Sequence, residues 1–372
     1  MKLLVMIARE ITQKEIDMGI GSELSGTRLS PIFKTLDLNI PIKDNKRYTP
    51  TIPIDPDEGI PMLLMPLLNI PHDKSILFGT PSIIDKINSL NHHPTKIVSD
   101  PGKGTGNPII AASMEAKDED ILILSPCDQY QSPAVNVAVN KILEKIKAGK
   151  FKSGTMLAHG TKNPAFSYIR VNGDIAVEFM LKGTIPKDDM IAETMVVCVR
   201  AGYLKQQITE RKNATIEQLK EIYPYKEDEL LVIQKQLTTI SELIESKVGT
   251  DEYLKRCPFC DFSKVIHRLL IPNMTFATVK YLDEWDDLGD WQKIFQSSLY
   301  PKDKDGNVIF SKSNLLSYTN CSNSLIANFT NRKIILHGLK NRIVAIGIRG
   351  TIDISLEMDP QDFKKEVVKL QM

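Results

Sequence analysis

Short apolar segments alternate with helix-like segments through the first two-thirds of the chain, and this alternation is the feature that most restricts the fold. Four segments have the composition of buried strands, namely Lys2–Ala8, Ser75–Gly79, Thr95–Ser99 and Asp120–Leu124. Helix-like segments follow the last three of them, namely Thr80–Leu90, Pro108–Ala116 and Pro133–Ala148. Strands and helices in this order predict an α/β domain with a mostly parallel sheet covered by helices on both faces.

The pattern changes after Trp291. Six short apolar segments separated by polar loops predict strands between Asn307 and Leu356, and Asp359–Leu370 has the pattern of an amphipathic terminal helix. Short strands at close and even spacing are typical of a stacked β-solenoid or a small sandwich. The chain has 372 residues, which also favours two domains, and we expect the boundary between Lys293 and Asp305.

Charge and cysteine content exclude several classes of protein. The formal net charge is +1, from 47 basic and 46 acidic residues, which argues against nonspecific nucleic-acid binding. Five cysteines spread through a long chain favour a reducing compartment over a disulfide scaffold. No segment approaches the roughly 20 apolar residues of a membrane span, and the apolar start is too short for a signal peptide. We therefore expect a cytoplasmic protein that binds neither nucleic acid nor membrane.

Two glycine-containing segments are suited to phosphate groups. The first is Gly21–Pro31 (GSELSGTRLSP), and the second is Asp100–Pro108 (DPGKGTGNP), which precedes a predicted helix. Glycine lets main-chain N–H groups approach phosphate oxygens, and the amino end of a helix adds partial positive charge. Each segment alone is also compatible with an ordinary turn or a helix cap.

Carboxylates occur at two places where a metal ion could bind. Asp128 follows the carboxyl end of a predicted buried strand, the edge where α/β sheets bind their ligands. Trp285–Trp291 (WDDLGDW) places three carboxylates between the two tryptophans of the chain. Mg²⁺ prefers one or two carboxylates together with substrate phosphates. A capping role for Asp128 and an acidic surface turn at 285–291 are the alternatives.

The pair Cys257 and Cys260 has the spacing of half a zinc site or of a redox pair. No second pair completes a zinc site, although His267 is close in sequence. We interpret both cysteines as structural.

Taken together, these residues resemble a known family, the bacterial mannose-1-phosphate guanylyltransferases within the sugar-nucleotide pyrophosphorylases. The family loop Gly-Gly-x-Gly-Thr-Arg-Leu-x-Pro is similar to Ser25–Pro31, and Trp-Ser-Asp-Val-Gly-Ser-Trp is similar to Trp285–Trp291. Further matches follow in the family's order along nearly the whole chain, at Asp100–Thr105, Ser125–Gln129, Ala165–Ile169, Phe179–Gly183 and Phe259–Phe262.

The resemblance implies a Rossmann-like nucleotidyltransferase domain at residues 1–292. Residues 293–372 would form a small left-handed β-helix domain with a closing helix, which is compatible with a homodimer. The implied reaction joins a sugar 1-phosphate to a nucleoside monophosphate taken from a nucleoside triphosphate, GTP in the family, and releases pyrophosphate.

The resemblance also implies roles for individual residues. Asp128 and Asp287 would hold Mg²⁺, Arg28 would contact the triphosphate, and Lys182 would contact the sugar phosphate. Nucleotide binding would involve Gly26, Thr27, Gly102, Lys103 and Thr105, and substrate binding would involve Ser167, Tyr168 and Lys182. We expect Asp128→Ala and Asp287→Ala each to abolish Mg²⁺-dependent activity with thermal stability nearly unchanged.

The sequence departs from the family where the sugar is recognised. Leu181 and Ala192 stand where the family has glutamate and asparagine, and Glu23-Leu24 replaces the leading glycine pair. Losing such hydrogen bonds weakens or changes the choice of sugar. Three functions therefore stay open: an active nucleotidyltransferase, a catalytically impaired nucleotide-binding regulatory or scaffold subunit, and a structural β-solenoid protein.

Overall fold

The computed structural model describes residues 1–8, 40–42, 45–47, 65–79, 94–127, 129–163, 166–181, 185–287, 291–296, 300–311, 315–328, 330, 332–346 and 351–358. The predicted helices Thr80–Leu90 and Asp359–Leu370 lie outside these residues.

The described residues of the first half of the chain, taken up to Arg200, form eleven strands. The strands are β1 Lys2–Ala8, β2 Ile40–Ile42, β3 Asn45–Arg47, β4 Lys74–Gly79, β5 Lys96–Ser99, β6 Ile121–Pro126, β7 Gln129–Gln131, β8 Ser153–His159, β9 Tyr168–Asn172, β10 Ile175–Met180 and β11 Met190–Arg200. The helices of this half are α1 Met65–Asn69, α2 Asn107–Glu115 and α3 Pro133–Lys147. Helix α3 begins where the Ser132 hydroxyl accepts a hydrogen bond from the Ala134 N–H and Pro133 occupies the first turn.

The second half begins with helices and continues with strands. The helices are α4 Ala201–Thr209, α5 Ile216–Lys220, α6 Glu227–Glu245, α7 Thr250–Arg256, a π-helical turn Phe262–Ile266, α8 His267–Leu270, a 3₁₀ turn Ile271–Asn273 and α9 Trp291–Gln296. The strands are β12 Met274–Lys280, β13 Trp285–Asp287, β14 Val308–Phe310, β15 Leu316–Thr319, β16 Leu325–Asn328, β17 Ile334–His337, β18 Arg342–Ile346 and β19 Thr351–Ser355.

The main sheet has the strand order β5-β4-β1-β6-β11-β8-β12-β10-β9. Strands β5, β4, β1 and β6 are parallel to one another, and so are β8 and β12. Strand β11 lies between β6 and β8 and is antiparallel to both, so the sheet is mixed rather than mostly parallel. The described residues between β8 and β11 contain no helix, and without a crossover helix successive strands return in the antiparallel direction.

Helices cover both faces of this sheet, as predicted. Strand β1 shows the two cores, because Leu3 and Val5 pack with one and Leu4 and Met6 pack with the other. Helices α2, α4 and α6 supply apolar side chains to the first core, and α3 supplies them to the second. The alternation of side chains along a strand therefore fixes which helices meet which face.

The C-terminal strands pair at regular sequence offsets. Parallel pairs join β14 to β16, β16 to β18 and β15 to β17, with offsets of 17 or 18 residues. Asn307, the residue before β14, is fully buried, and its side-chain amide donates to the Cys321 carbonyl at 3.0 Å. Parallel pairing at a constant offset favours stacked coils over a sandwich. The left-handed β-helix itself stays a prediction.

None of the helices in the described part of the chain combines the length and apolar character needed to cross a membrane.

Candidate active site

A two-stranded ribbon joins the two places at which the sequence predicts metal ligands. Strands β7 and β13 pair in the antiparallel direction, with Gln129 opposite Asp287 and Gln131 opposite Trp285. We call this pair of strands the ribbon. It follows the carboxyl end of β6, where the Cys127 N–H donates to the Ile7 carbonyl at 3.3 Å. The ribbon therefore lies at the carboxyl edge of the parallel strands, where α/β folds bind ligands.

Buried side-chain hydrogen bonds fix the ribbon to the sheet. The indole N–H of Trp285 donates to Gln129 Oε1 at 2.9 Å, and Gln129 Nε2 donates to the Thr194 carbonyl at 2.7 Å. Gln131 Nε2 donates to Ser125 Oγ at 2.9 Å. Because both amides are buried and bonded to the sheet, the position of the ribbon relative to β6 and β11 is well determined.

The negative charge of Asp287 is balanced by a lysine within the protein. Its carboxylate forms an ion pair with the Lys293 ammonium, and the exposed fractions of the two side chains are 12% and 7%. The ammonium also lies 4.7 Å from the centroid of the Phe166 ring. The neighbouring Asp286 is completely buried. Removing one member of such a pair leaves a buried charge, so the expectation that Asp287→Ala leaves stability unchanged no longer holds.

Several predicted site residues lie outside the described residues. They are Gly26, Thr27, Arg28, Asp128 and Lys182. Asp128 is covalently adjacent to Gln129, the ladder partner of Asp287.

The second glycine segment packs against the residues that carry the C-x-x-C pair. Gly104 has a φ of +100°, and a Cβ atom there would come within 3.0 Å of main-chain atoms of Cys260. The Gly106 N–H donates to the Cys260 carbonyl, and the Cys260 N–H donates to the Lys103 carbonyl, both at 2.9 Å. Glycine at 104 is thus required by close packing of two main chains.

The three predicted nucleotide-binding residues of this segment have partners within the protein. The Gly102 N–H donates to Asp100 Oδ1 at 2.8 Å, and Thr105 Oγ1 accepts from the Phe262 N–H at 3.1 Å. Lys103 Nζ donates to the Lys255 carbonyl at 2.6 Å, and its other two N–H groups have no acceptor among the described residues.

The predicted substrate-binding pair at the start of β9 is buried. Ser167 and Tyr168 have exposed fractions of 4% and 1%. The Tyr168 hydroxyl donates to the Asn163 carbonyl at 2.9 Å, and burial raises its pKa. The Tyr168 hydroxyl therefore forms its hydrogen bond within the protein.

The cysteines and the nearby histidine are all buried. Burial raises the pKa of the Cys257 thiol to about 11, and that of Cys260 well above its usual value. His267 is fully buried between the Phe179 and Phe262 rings, and neither ring nitrogen has a hydrogen-bond partner within the described residues. In the same part of the chain, no three His, Cys, Asp or Glu side chains form a group that could hold a metal ion.

His267 predicts a loss of stability in acid. Burial, with a smaller contribution from the Arg268 charge, lowers its pKa from 6.5 to about 3. The unfolded chain then binds a proton below pH 6.5 that the folded chain does not bind, so stability falls as the pH drops from 6.5 towards 3. The Glu193 carboxylate, 3.9 Å from Nδ1, would offset part of this loss by pairing with the protonated ring, so the contribution at pH 5 is at most about 2 kcal/mol. Urea unfolding at pH 7 and pH 5 should show a smaller acid loss in His267→Leu than in the wild type, and equal losses would contradict the assignment.

Sequence reasoning missed Lys293, the counter-ion of Asp287. The residue lies in α9 among Trp291, Ile294 and Phe295, all of which are buried. The sequence does contain a signal for a buried lysine, because Lys293 stands between apolar residues in a short helix. Its partner depends on how α9 folds back on the ribbon, which the sequence pattern does not give.

Comparison with known proteins identifies a solved structure with the same fold. No family model matches the sequence, and no curated protein matches it. A solved structure of mannose-1-phosphate geranyltransferase from Thermus thermophilus matches 100% of this chain and 99% of its own, with a TM-score of 0.67 and 15% identity.

Two other solved structures match less well. A protein named as a putative glucose-1-phosphate thymidylyltransferase from Bacillus anthracis matches 80% of this chain and 93% of its own, with a TM-score of 0.46 and 13% identity. A mannose-6-phosphate isomerase from Helicobacter pylori matches 62% and 92%, with a TM-score of 0.44 and 13% identity. Neither score establishes a shared fold. The Thermus match shows that the chain shares the α/β fold of that protein.

Proposed function

We propose that this protein is a nucleotidyltransferase that forms a nucleotide sugar and pyrophosphate from a sugar 1-phosphate and a nucleoside triphosphate. The observation that carries the proposal is the ribbon, because its register puts Asp287 opposite the residue that follows Asp128. Asp287 therefore lies opposite the chain neighbour of Asp128, the carboxylate predicted from a separate motif. The shared fold with the Thermus protein, whose name refers to mannose 1-phosphate, agrees with a sugar 1-phosphate substrate.

The proposed reaction is an in-line displacement. A phosphate oxygen of the sugar 1-phosphate forms a bond to the α-phosphorus of the triphosphate, and the bond from that phosphorus to the leaving pyrophosphate breaks. Catalysis then depends on positioning and on neutralising charge, with no covalent enzyme intermediate. We assign Arg28 to the triphosphate and Lys182 to the sugar phosphate.

Nucleotide binding is assigned to main-chain and side-chain groups of the two glycine segments, at Gly26, Thr27, Gly102, Lys103 and Thr105. Lys103 suits this role because its ammonium keeps two N–H groups beyond its bond to the Lys255 carbonyl. We propose GTP as the nucleotide and mannose 1-phosphate as the sugar, with contacts from the segment of Ser167 and Tyr168, and a homodimer as the assembly.

The donor set suits Mg²⁺, which prefers carboxylate oxygens and leaves positions for phosphates. Asp128 and Asp287 would hold the ion, which when bound would offset charge that develops on the phosphates. In the absence of an ion, Lys293 supplies the counter-charge of Asp287.

A second candidate function is nucleotide binding without turnover, as a regulatory or scaffold subunit. The observation in its favour is the same buried ion pair, because an ammonium already neutralises one of the two proposed metal ligands.

The test is pyrophosphate release by the purified protein with Mg²⁺, across a panel of nucleoside triphosphates and sugar 1-phosphates. Release that requires one particular pair would support the transferase and identify both substrates. Absence of release across the panel, with GTP still raising the melting temperature, would reject the transferase in favour of the second candidate.

A further inference from the structure

A cavity of about 320 Å³ lies where β10, α5 and the 3₁₀ turn at Ile271–Asn273 meet. Phe179, Lys220, Arg268 and Pro272 line it, and we call it the Arg268 pocket. Pro272 precedes the amino end of β12, whereas Asp287 follows the carboxyl end of that strand. A strand of seven residues spans about 20 Å, so the pocket is separate from the ribbon.

Arg268 is a buried cation without a carboxylate partner among the described residues. Its exposed fraction is 9%, and its guanidinium carbon lies 5.2 Å from the centroid of Phe179 and 5.4 Å from that of Tyr225. Its one hydrogen bond in the described part of the chain is a long one, from Nε to the Tyr225 hydroxyl at 3.4 Å. A charge that is buried to this extent is costly unless an opposite charge meets it.

The other charged groups of the pocket do not supply that opposite charge. Glu178 forms an ion pair with Arg170 at 2.8 Å. Lys220 and Glu221 are exposed, and neither forms an ion pair within the described residues. The guanidinium therefore lines the cavity with four of its N–H groups unbonded within the described residues, and the exposed Lys220 adds a second positive charge.

The shape of the pocket restricts the ligand further. Its volume is at the lower end of the range of about 300–1,000 Å³ that small-molecule sites occupy. Phe179, Ile271 and Pro272 give it apolar walls beside the two cations. A planar guanidinium binds phosphate oxygens in pairs, and a doubly charged group gains most from two cations.

We propose that the Arg268 pocket binds a phosphate monoester with a small organic group, with its phosphate on Arg268 and Lys220 and its organic part against Phe179 and Pro272. This inference does not depend on the proposed transferase activity.

The experiment is isothermal titration calorimetry of the full-length protein with glucose 6-phosphate, inorganic phosphate and glucose as probes, at constant ionic strength. We expect glucose 6-phosphate to bind more tightly than inorganic phosphate and glucose not to bind. Arg268→Gln should weaken the binding at least about tenfold, and Lys220→Gln should weaken it by a smaller factor, because hydrogen bonds to charged groups are lost.

Matched variants separate this pocket from other anion sites. Lys235→Gln removes an exposed lysine of α6, and Asp287→Asn alters the ribbon; both should keep the wild-type affinity. Lys220 is exposed, so Lys220→Gln decides the question if Arg268→Gln fails to fold. Undetectable binding by the wild type would overturn the proposal, as would affinity that both pocket variants retain, or equal affinities for glucose 6-phosphate and inorganic phosphate.

Discussion

Asp128→Asn and Asp287→Asn are each expected to lower kcat for pyrophosphate release by about 10²–10³-fold. Each substitution removes a negative charge that the proposed mechanism needs beside the reacting phosphates, and losses of single electrostatic contributions in active sites have this size. The measurement is steady-state kcat and KM with the nucleotide and sugar phosphate found in the panel. Asp283→Asn is the matched control, because Asp283 is a half-exposed carboxylate close to the ribbon and is paired with Lys280. It should change neither constant.

Asp287→Asn should also lower the free energy of unfolding, by about 3 kcal/mol, because it removes the carboxylate that neutralises the buried Lys293 ammonium. The double variant Asp287→Asn with Lys293→Met removes both charges and should regain most of that stability. It should not regain activity. A double variant that is stable and inactive would show that the loss of turnover is not a loss of folding, whereas full turnover in either single variant would contradict the assignment of the carboxylates.

The sequence predicts where the elements lie better than how they are joined. Lys2–Ala8 forms a strand with the predicted bounds, and Pro133–Lys147 forms the predicted helix one residue short. Strand β11 is rich in apolar residues, but such a run contains no information on strand direction. Its antiparallel position follows from the absence of a crossover helix among the described residues before it, which is a property of the whole segment.

The candidate site shows a similar division. Composition and position predict Asp287 and the glycine segment as places of interest, because carboxylates can hold a metal ion and glycines let main-chain N–H groups approach phosphates. The partners of these residues are not predictable in the same way. Lys293 meets Asp287 through a contact between α9 and the ribbon. Cys260 meets the glycine segment through contacts between segments that are distant in the chain.

Gly104→Ala is expected to lower the free energy of unfolding by about 2–6 kcal/mol, the sum of backbone strain and overpacking. The substitution puts a side chain on a residue with a φ of +100° and brings its Cβ within 3.0 Å of the main chain of Cys260. Strain at such a φ and overpacking each cost on the order of 1–3 kcal/mol. The measurement is urea unfolding of the variant and the wild type, followed by circular dichroism.

Gly160→Ala separates the two causes, because Gly160 has a similar φ of +96° and no atom of the described residues within 4 Å of the position of an added Cβ. Its cost should be strain alone, about 1–3 kcal/mol, so the excess for Gly104→Ala measures the contact with Cys260. Equal costs would mean that the glycine segment and the C-x-x-C segment are not packed as described. A larger cost for Gly104→Ala means that its glycine serves the packing of two chain segments, and that any nucleotide held there depends on the segment of Cys257 and Cys260 as its support.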